Sequence, residues 1–488
     1  MEQNERETSL RPLRVAVVGA GPAGVYASDI LLRQLAEKGP ELGIGEDASI
    51  DLFEKLPAPF GLVRYGVAPD HPAIKWIMSA LEKTIDNPRM RLFCDVEVGK
   101  AVTLDDLLRR YDAVLFATGA MNDRRPAIPG ADLPQVVGAA EFVKWYDGYP
   151  GASAPGLSAA SVAVIGGGNV AMDVSRLLVK NPDDLLSTDI PDAVLAGLKA
   201  NRLTDLHLFV RRGPAQAKFS VQELRELEKL RGVRLMVDAA DFDLDEATRA
   251  VAGENKLTRQ MLEELEAIKV LADDMDVKSA AAGHDVDING DPASRRYHFH
   301  FFARPLAVLA DGTGTVSGLR VERTTVSADG AMSGTGSTRD TPVQAVYHAI
   351  GYLPAHAAGA PYDEETSTLR NRGGRVFTDA GEPMPRVYVT GWAKRGPVGL
   401  IGSTKADATE TIANLLQDCA AAPRGGRADI DADQDSIVRL LRARGVAFTG
   451  LDGWKRLDAY ERRQGESVGR ERVKVVDAER MRRISAGW

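Results

Sequence analysis

The chain has 488 residues, 44% of them apolar and 27% charged, with a formal net charge of −8. That length exceeds one ordinary core, so two or three domains are expected. The acidic balance gives no global basic field for nucleic acid or a membrane surface, and Cys94 and Cys419, far apart in sequence, exclude a disulfide framework, a zinc cluster and a CxxC redox pair. No apolar stretch reaches membrane-spanning length. The opening segment MEQNERETSLRPLR is mixed in charge and does not read as a signal peptide. A soluble, cytoplasmic protein is the expectation.

Residues 1–12 read as a polar arm. The apolar run Leu13–Val18 predicts a buried strand. Gly19, Gly21 and Gly24 follow at GxGxxG spacing, with Pro22 in the turn and Val25–Leu35 as a helix. Glycines at this spacing allow a tight turn, close approach of a pyrophosphate and close helix–strand packing, with the helix amides facing the phosphates. A second strand, Ser49–Phe53, ends at Glu54, the place of an acidic residue that binds ribose hydroxyls. The gap from Gly24 to Glu54 is 30 residues, against about 20 in the compact motif; the Gly/Pro/Glu-rich loop Lys38–Ala48 accounts for the excess. Lys55–His71, rich in Gly and Pro, reads as an ordered loop wrapping a cofactor. Tyr111–Gly119 is another strand ending at a glycine, and a boundary is placed near residue 120.

Val162–Asp173, VAVIGGGNVAMD, repeats the pattern of Val15–Gly24, VAVVGAGPAG. Ser161–Ile165 is its strand, Gly166, Gly167 and Gly168 its turn, and Asn169–Val179 its helix, with Asn169 as a candidate cap. The next strand, Leu206–Val210, ends in Arg211-Arg212 instead of an acid. An acid would suit the free 2′-hydroxyl of NAD; two guanidiniums suit a 2′-phosphate. Phe219–Leu230 reads as an amphipathic helix with Leu224, Leu227 and Leu230 on one face and Glu223 and Glu226 off it. Residues 240–290 carry helical periodicity at Leu257–Leu271, a turn near Gly283–Gly290 and no visible chemistry. Residues 297–350 alternate like antiparallel strands, and Val346–Gly351 returns the chain to the first domain. Further strands are expected at Arg375–Val376 and Val387–Thr390, then the glycine-rich turn Gly391–Gly402, the helix Ser403–Leu416, a linker at 420–430 and a charged helical tail anchored by Trp454.

The blocks VVGAGPAG, FEKLPAPFGLVRYGVAPDHP, VIGGGNVAMDVSR, VRRGPAQAKFSVQELREL, GWAKRGPVGLIGSTK and GWKRLDAYERRQGESVGRERVK together resemble the ferredoxin–NADP reductases of the adrenodoxin reductase type. The resemblance runs from near residue 14 to near residue 475. It implies an α/β protein of two Rossmann-like domains, the NADP domain inserted into the FAD domain. The parts are 1–120 and 352–425 for FAD, 121–351 for NADP, and a tail, 426–488, on the FAD domain. For FAD it implies Gly19, Gly21, Ala23 and Gly24 at the phosphates and Glu54 at the ribose. Leu62 lies in the wrapping loop, Val98 beside the adenine and Gly119 at the strand end; Trp392, Gly399, Leu400 and Ile401 hold the isoalloxazine. For NADP it implies Gly167, Gly168, Asn169 and Val170 at the pyrophosphate, Arg211 and Arg212 at the 2′-phosphate, and Glu223 as a further contact. His71 and Glu226 match polar positions near the nicotinamide, while Thr404 departs from a frequent Asn.

The activity this implies is transfer of a hydride from NADPH to FAD and release of single electrons to a ferredoxin-type iron–sulfur protein, by a monomer without a nucleic-acid or membrane partner. Arg225, Arg211–Arg212 and Lys394–Arg395 are candidate steering cations for an acidic acceptor. A disulfide reductase needs the missing CxxC, and a glutamate-synthase-type subunit needs N-terminal cysteines that are absent. A flavin monooxygenase or NADPH oxidase, and a non-catalytic nucleotide-binding protein, remain as alternatives.

Overall fold

Leu13–Val18 is buried at every residue. It pairs in parallel with Ala48–Glu54 on one side and with Ala113–Phe116 on the other. An unbroken apolar run is what a strand covered on both faces requires. Residues 11–242, 244, 252–253, 255–327, 331–354, 359–399, 402–421, 430–431 and 433–487 are described by the computed structural model. The chain divides into two compact units, one of Met1–Val67, His71–Asn122 and Leu353–Trp488, the other of Ala68–Asp70 and Asp123–Tyr352.

In the first unit the sheet runs Asn371–Arg372, Arg375–Phe377, Pro383–Val389, Ala113–Phe116, Leu13–Val18, Ala48–Glu54, Met90–Cys94. Its five-strand core is parallel and its first two strands form an antiparallel edge. Pro22–Lys38 follows the first strand, with Pro22 at the start of the helix, where its missing N–H costs nothing. The segment 55–71, read above as loop throughout, contains a one-turn helix, Leu62–Tyr65, begun by Gly61 at φ +48°. The tail folds as Ser436–Ala443, Leu451–Glu466 and Ala478–Ala486. Trp454 is buried within it, its ring edge-on to Phe60 at 5.3 Å.

In the second unit six parallel strands run Val136–Gly138, Ala345–His348, Ser161–Ile165, Asp205–Phe209, Arg295–His300, Val233–Val237. Arg295–His300 corrects the sequence reading. Its Tyr/His/Phe alternation resembles an antiparallel strand, yet it pairs in parallel with both neighbours. The alternation arises because the sheet's two faces differ. Tyr297 and Phe299 join the helix-covered core; His298 and His300 take the other face. Ala303–Ala310, Val316–Val326 and Met332–Thr341 form a separate antiparallel meander, as expected of alternating strands. The helix read at Leu257–Leu271 extends over Lys256–Ala282 and stops at Gly283, φ +72°. No described helix is long and apolar enough to cross a membrane.

Candidate cofactor sites

Each unit carries a glycine turn at the carboxyl end of its central strand, where the neighbours on the two sides diverge. That is the crevice in which open parallel sheets bind ligands. The two turns share one wiring. Gly19 N–H donates to Phe53 O at 2.7 Å and Ala117 N–H to Val18 O at 2.8 Å; Gly166 N–H donates to Phe209 O at 3.1 Å and Ala349 N–H to Ile165 O at 2.7 Å. A Cβ on Gly19 would lie 2.4 Å from Ala117 O, and one on Gly166 2.6 Å from Ala349 O. Both positions are closed to any side chain. Gly24 is equally constrained, since a Cβ there would lie 2.0 Å from Gly19 O.

Gly21 and Gly168 are different. A Cβ on Gly21 would meet only Gly61 Cα, at 3.9 Å, and one on Gly168 meets nothing within 4 Å. Packing requires glycine at neither, and each sits where first-turn amides lack intrahelical acceptors. An anion cradled against bare backbone accounts for both. The residues present therefore fit a dinucleotide pyrophosphate in each unit.

Around the first turn, Phe60 N–H donates to Ala20 O at 2.9 Å, holding the Gly61–Tyr65 turn against it. A Cβ on Gly391 would lie 2.7 Å from that of Ala23. Glu54 is buried, and its carboxylate accepts from Ala20 N–H at 3.2 Å and Leu56 N–H at 3.1 Å. Burial raises its pKa, and the two amides oppose that rise. Leu62 opens its one-turn helix, Val98 bridges Val102, and Gly119 takes φ +69°. Gly391–Gly402 holds a one-turn helix, Trp392–Arg395, and Trp392 is half-buried there. Gly399 has φ +88°, a conformation that favours glycine, and a Cβ there would lie 2.6 Å from Ser403 Oγ. Leu400 and Ile401 lie outside the described residues. His71 precedes Pro72–Lys75, and its carbonyl accepts from Ile74 N–H at 3.1 Å.

Around the second turn, Asn169 does not cap its own helix. The cap position is Gly168, and Asn169 Oδ1 accepts from Ser220 N–H at 2.8 Å, tying the turn to the Val221–Leu227 helix. Lys218 N–H donates to Gly167 O at 2.7 Å, and Val170 packs half-buried on the core. By the shared wiring, the counterpart of Glu54 is Val210, whose methyl would lie 2.9 Å from a Cβ on Gly167. An apolar residue thus replaces the acid, and Arg211 and Arg212 follow. Arg211 is exposed and Arg212 half-buried. Among the described residues no carboxylate pairs with either guanidinium, and Arg212 Nε is buried without a partner. Their carbonyls are held, Arg211 O by Thr324 Oγ1 of the meander at 2.7 Å and Arg212 O by Phe302 N–H just before it at 3.1 Å.

Glu223 and Glu226 have other partners here. Glu223 is buried against Arg176 Nη1 at 2.6 Å. Arg176 also binds Asp70 at 2.8 Å and Asp173 at 2.6 Å, and Lys180 binds Asp70 at 2.9 Å. Glu226 accepts from Lys229 Nζ at 2.8 Å and Gln222 Nε2 at 3.0 Å. The candidate steering cations Arg225, Lys394 and Arg395 have partners within the chain. Arg225 pairs with Glu264 at 3.0 Å. Lys394 is buried on Asp407 at 2.9 Å and Glu410 at 2.6 Å, and Arg395 binds Val398 O and, at 3.4 Å, Thr404 Oγ1.

Asp407 was not singled out from sequence. It accepts from Thr390 Oγ1 at 2.9 Å and Gly391 N–H at 2.5 Å, so one carboxylate fixes the strand end and the turn beside Ala23. An acid four residues into a helix after a glycine loop was its only local signal.

Residues 13–186 match the family model for pyridine nucleotide-disulphide oxidoreductases. The chain is 38% identical to the NADPH-ferredoxin reductase FprA of Mycobacterium tuberculosis, covering 98% of this chain and 100% of that one. It belongs to the NADPH-ferredoxin reductase family. Within that family it is also 35% identical to the mitochondrial NADPH:adrenodoxin oxidoreductase of Bos taurus, over 96% of this chain and 92% of the relative. The structure of M. tuberculosis FprA in complex with NADPH superposes with a TM-score of 0.86 at 37% identity, covering 98% and 100% of the two chains. The reductase family thus contains the fold, with its two Rossmann-like units, that the motifs imply. Cys94 and Cys419 are both buried, and no disulfide joins them.

Proposed function

We propose that this chain is a flavoprotein reductase that carries electrons from NADPH through FAD to a ferredoxin-type iron–sulfur protein. The observation that carries this is near-full-length similarity to a reductase solved with NADPH, on a chain whose two glycine turns each leave one bare backbone position for a phosphate. FAD, when bound, supplies the conversion of a two-electron hydride into single electrons.

The protein supplies position and electrostatics. In the first unit Gly19, Gly21, Ala23 and Gly24 would hold the FAD pyrophosphate, Glu54 the ribose, Leu62 would contribute from the wrapping loop, Val98 would face the adenine, Gly119 would contact FAD from its strand end, and Trp392 and Gly399 would hold the isoalloxazine. In the second, Gly167, Gly168, Asn169 and Val170 would hold the NADP pyrophosphate. Arg211 and Arg212 would grip the 2′-phosphate, which Val210 does not repel. Glu223 then acts at one remove, by ordering Arg176 of the turn helix. His71 and Glu226 would set the pose of the nicotinamide; no external base is needed for hydride transfer. The acceptor is an acidic iron–sulfur protein, and the reductase works as a cytoplasmic monomer, which sedimentation would check.

The test is stopped-flow absorbance of the purified yellow protein mixed with NADPH, then NADH. Fast bleaching by NADPH, slow bleaching by NADH and subsequent reduction of cytochrome c through ferredoxin are expected. Absence of bound flavin, or no bleaching with either nucleotide, overturns the reading.

A further inference from the structure

Three of the chain's seven histidines meet on one face of the second unit's sheet, apart from both glycine turns. His298 and His300 are two residues apart on one strand, so they point the same way. The parallel register places His207 of Asp205–Phe209 directly beside His298. Their rings stack with centroids 4.3 Å apart, and His300 lies 5.2 Å from His207. Asp205 completes the group, with its Oδ1 3.0 Å from His298 Nε2. One ligand atom each from Asp205, His207 and His298 can be chosen so that all lie within 4.8 Å of one another.

The geometry points to a transition-metal site formed by Asp205, His207 and His298. Donors about 2.0–2.1 Å from a tetrahedral zinc ion lie about 3.3 Å from one another, close to the His298–Asp205 separation. Small side-chain rotations bring in His207. Two imidazoles and one carboxylate without a thiolate suit zinc, copper or nickel better than magnesium or calcium. Three protein ligands leave a fourth position for water, and all three are half-buried, so an ion can enter.

The surroundings suit ligation. A metal-bound imidazole is oriented by a partner on its other nitrogen, and ligating carboxylates are themselves hydrogen-bonded. His207 Nδ1 is 2.9 Å from His300 Nε2, which leaves Nε2 of His207 for the metal. Arg296 forks onto Asp205 at 2.6 and 2.7 Å and Thr204 Oγ1 donates to its Oδ2 at 2.9 Å, and the about four lone-pair sites of a carboxylate accommodate these and a metal. Arg339 Nη2 lies 2.9 Å from His300 Nδ1 and fixes that ring in turn. Nothing in nucleotide binding or electron transfer uses these residues.

The test is calorimetric titration of ZnCl2 into tag-free, full-length holoprotein that has been stripped with EDTA, at neutral pH. One Zn2+ per chain is expected. His298→Gln and His207→Gln should each weaken binding by more than about 100-fold, and His300→Gln by about tenfold. In EDTA, His298→Gln should keep wild-type flavin content, melting temperature and NADPH oxidation. This separates loss of a ligand from loss of the fold, and His207→Gln serves if one variant misfolds. Absence of zinc binding, undiminished binding in both ligand variants, or binding abolished by His71→Gln instead would overturn the proposal.

Discussion

Arg64 and Glu461 form a two-pronged ion pair buried entirely from solvent, with Nη1 and Nη2 donating to the carboxylate at 3.0 and 2.6 Å. Arg64 lies in the turn that Phe60 fastens to the first glycine loop, and its guanidinium also stands 5.2 Å from the Trp454 ring. Glu461 lies on the tail helix and accepts Val475 N–H at 2.9 Å as well. The tail therefore braces the wall of the candidate FAD site.

Removing one partner of such a pair leaves an uncompensated buried charge, which costs about 3–5 kcal/mol. Glu461→Ala should therefore lower the melting temperature and speed flavin release, followed by the rise of free-flavin fluorescence on heating. A variant that melts and holds flavin like wild type would show that the tail does not brace the site.

The two bare glycine positions and the closed ones should behave oppositely. Gly24→Ala forces a methyl against Gly19 O and should abolish folding or flavin retention. Gly168→Ala meets no protein atom, so it should melt like wild type yet raise KM for NADPH about tenfold or more by pushing the phosphate off the amides. An unchanged KM would remove Gly168 from the pyrophosphate site.

The 2′-phosphate role proposed for Arg211 and Arg212 predicts a nucleotide preference. A charged hydrogen bond contributes about 1.5–3 kcal/mol, so Arg211→Ala should raise KM for NADPH roughly 10- to 100-fold and leave KM for NADH nearly unchanged. Equal loss with both nucleotides would mean that the pair does not read the 2′-phosphate.

Asp70 tests the buried network around Arg176. Burial alone would raise its pKa, but the Arg176 fork and Lys180 outweigh it and hold the carboxyl well below the usual range. A depressed folded pKa contributes stability above the unfolded value of about 3.9 and loses it as pH falls. Asp70→Asn should thus melt well below wild type at pH 7, with the gap beginning to narrow only once the pH falls below about 4. A gap independent of pH would assign the loss to packing.

His71→Ala should slow hydride transfer, read as flavin bleaching by NADPH, while flavin content stays at the wild-type level. Loss of flavin would move His71 from the nicotinamide to the FAD side of the chemistry.

The sequence alone determined the local grammar. An apolar strand, a glycine turn and a helix recur at Leu13 and Ser161 because parallel strands buried on both faces need unbroken apolar runs, and the first glycine of each turn has no room for a Cβ. The basic pair Arg211-Arg212 after the strand was legible because its charge is written in the residues themselves. What lies far apart in sequence was decided only by the fold. Arg295–His300 pairs in parallel with both neighbours although its buried and half-buried residues alternate, and alternation alone does not reveal strand direction. Val210, not Arg211, takes the place of Glu54, a fact set by hydrogen-bond register. Glu223 and Lys394, charged residues that local pattern places at a ligand or on a surface, are buried on Arg176 and Asp407. A charge out of water must find its opposite, and which opposite is near is a property of tertiary structure alone.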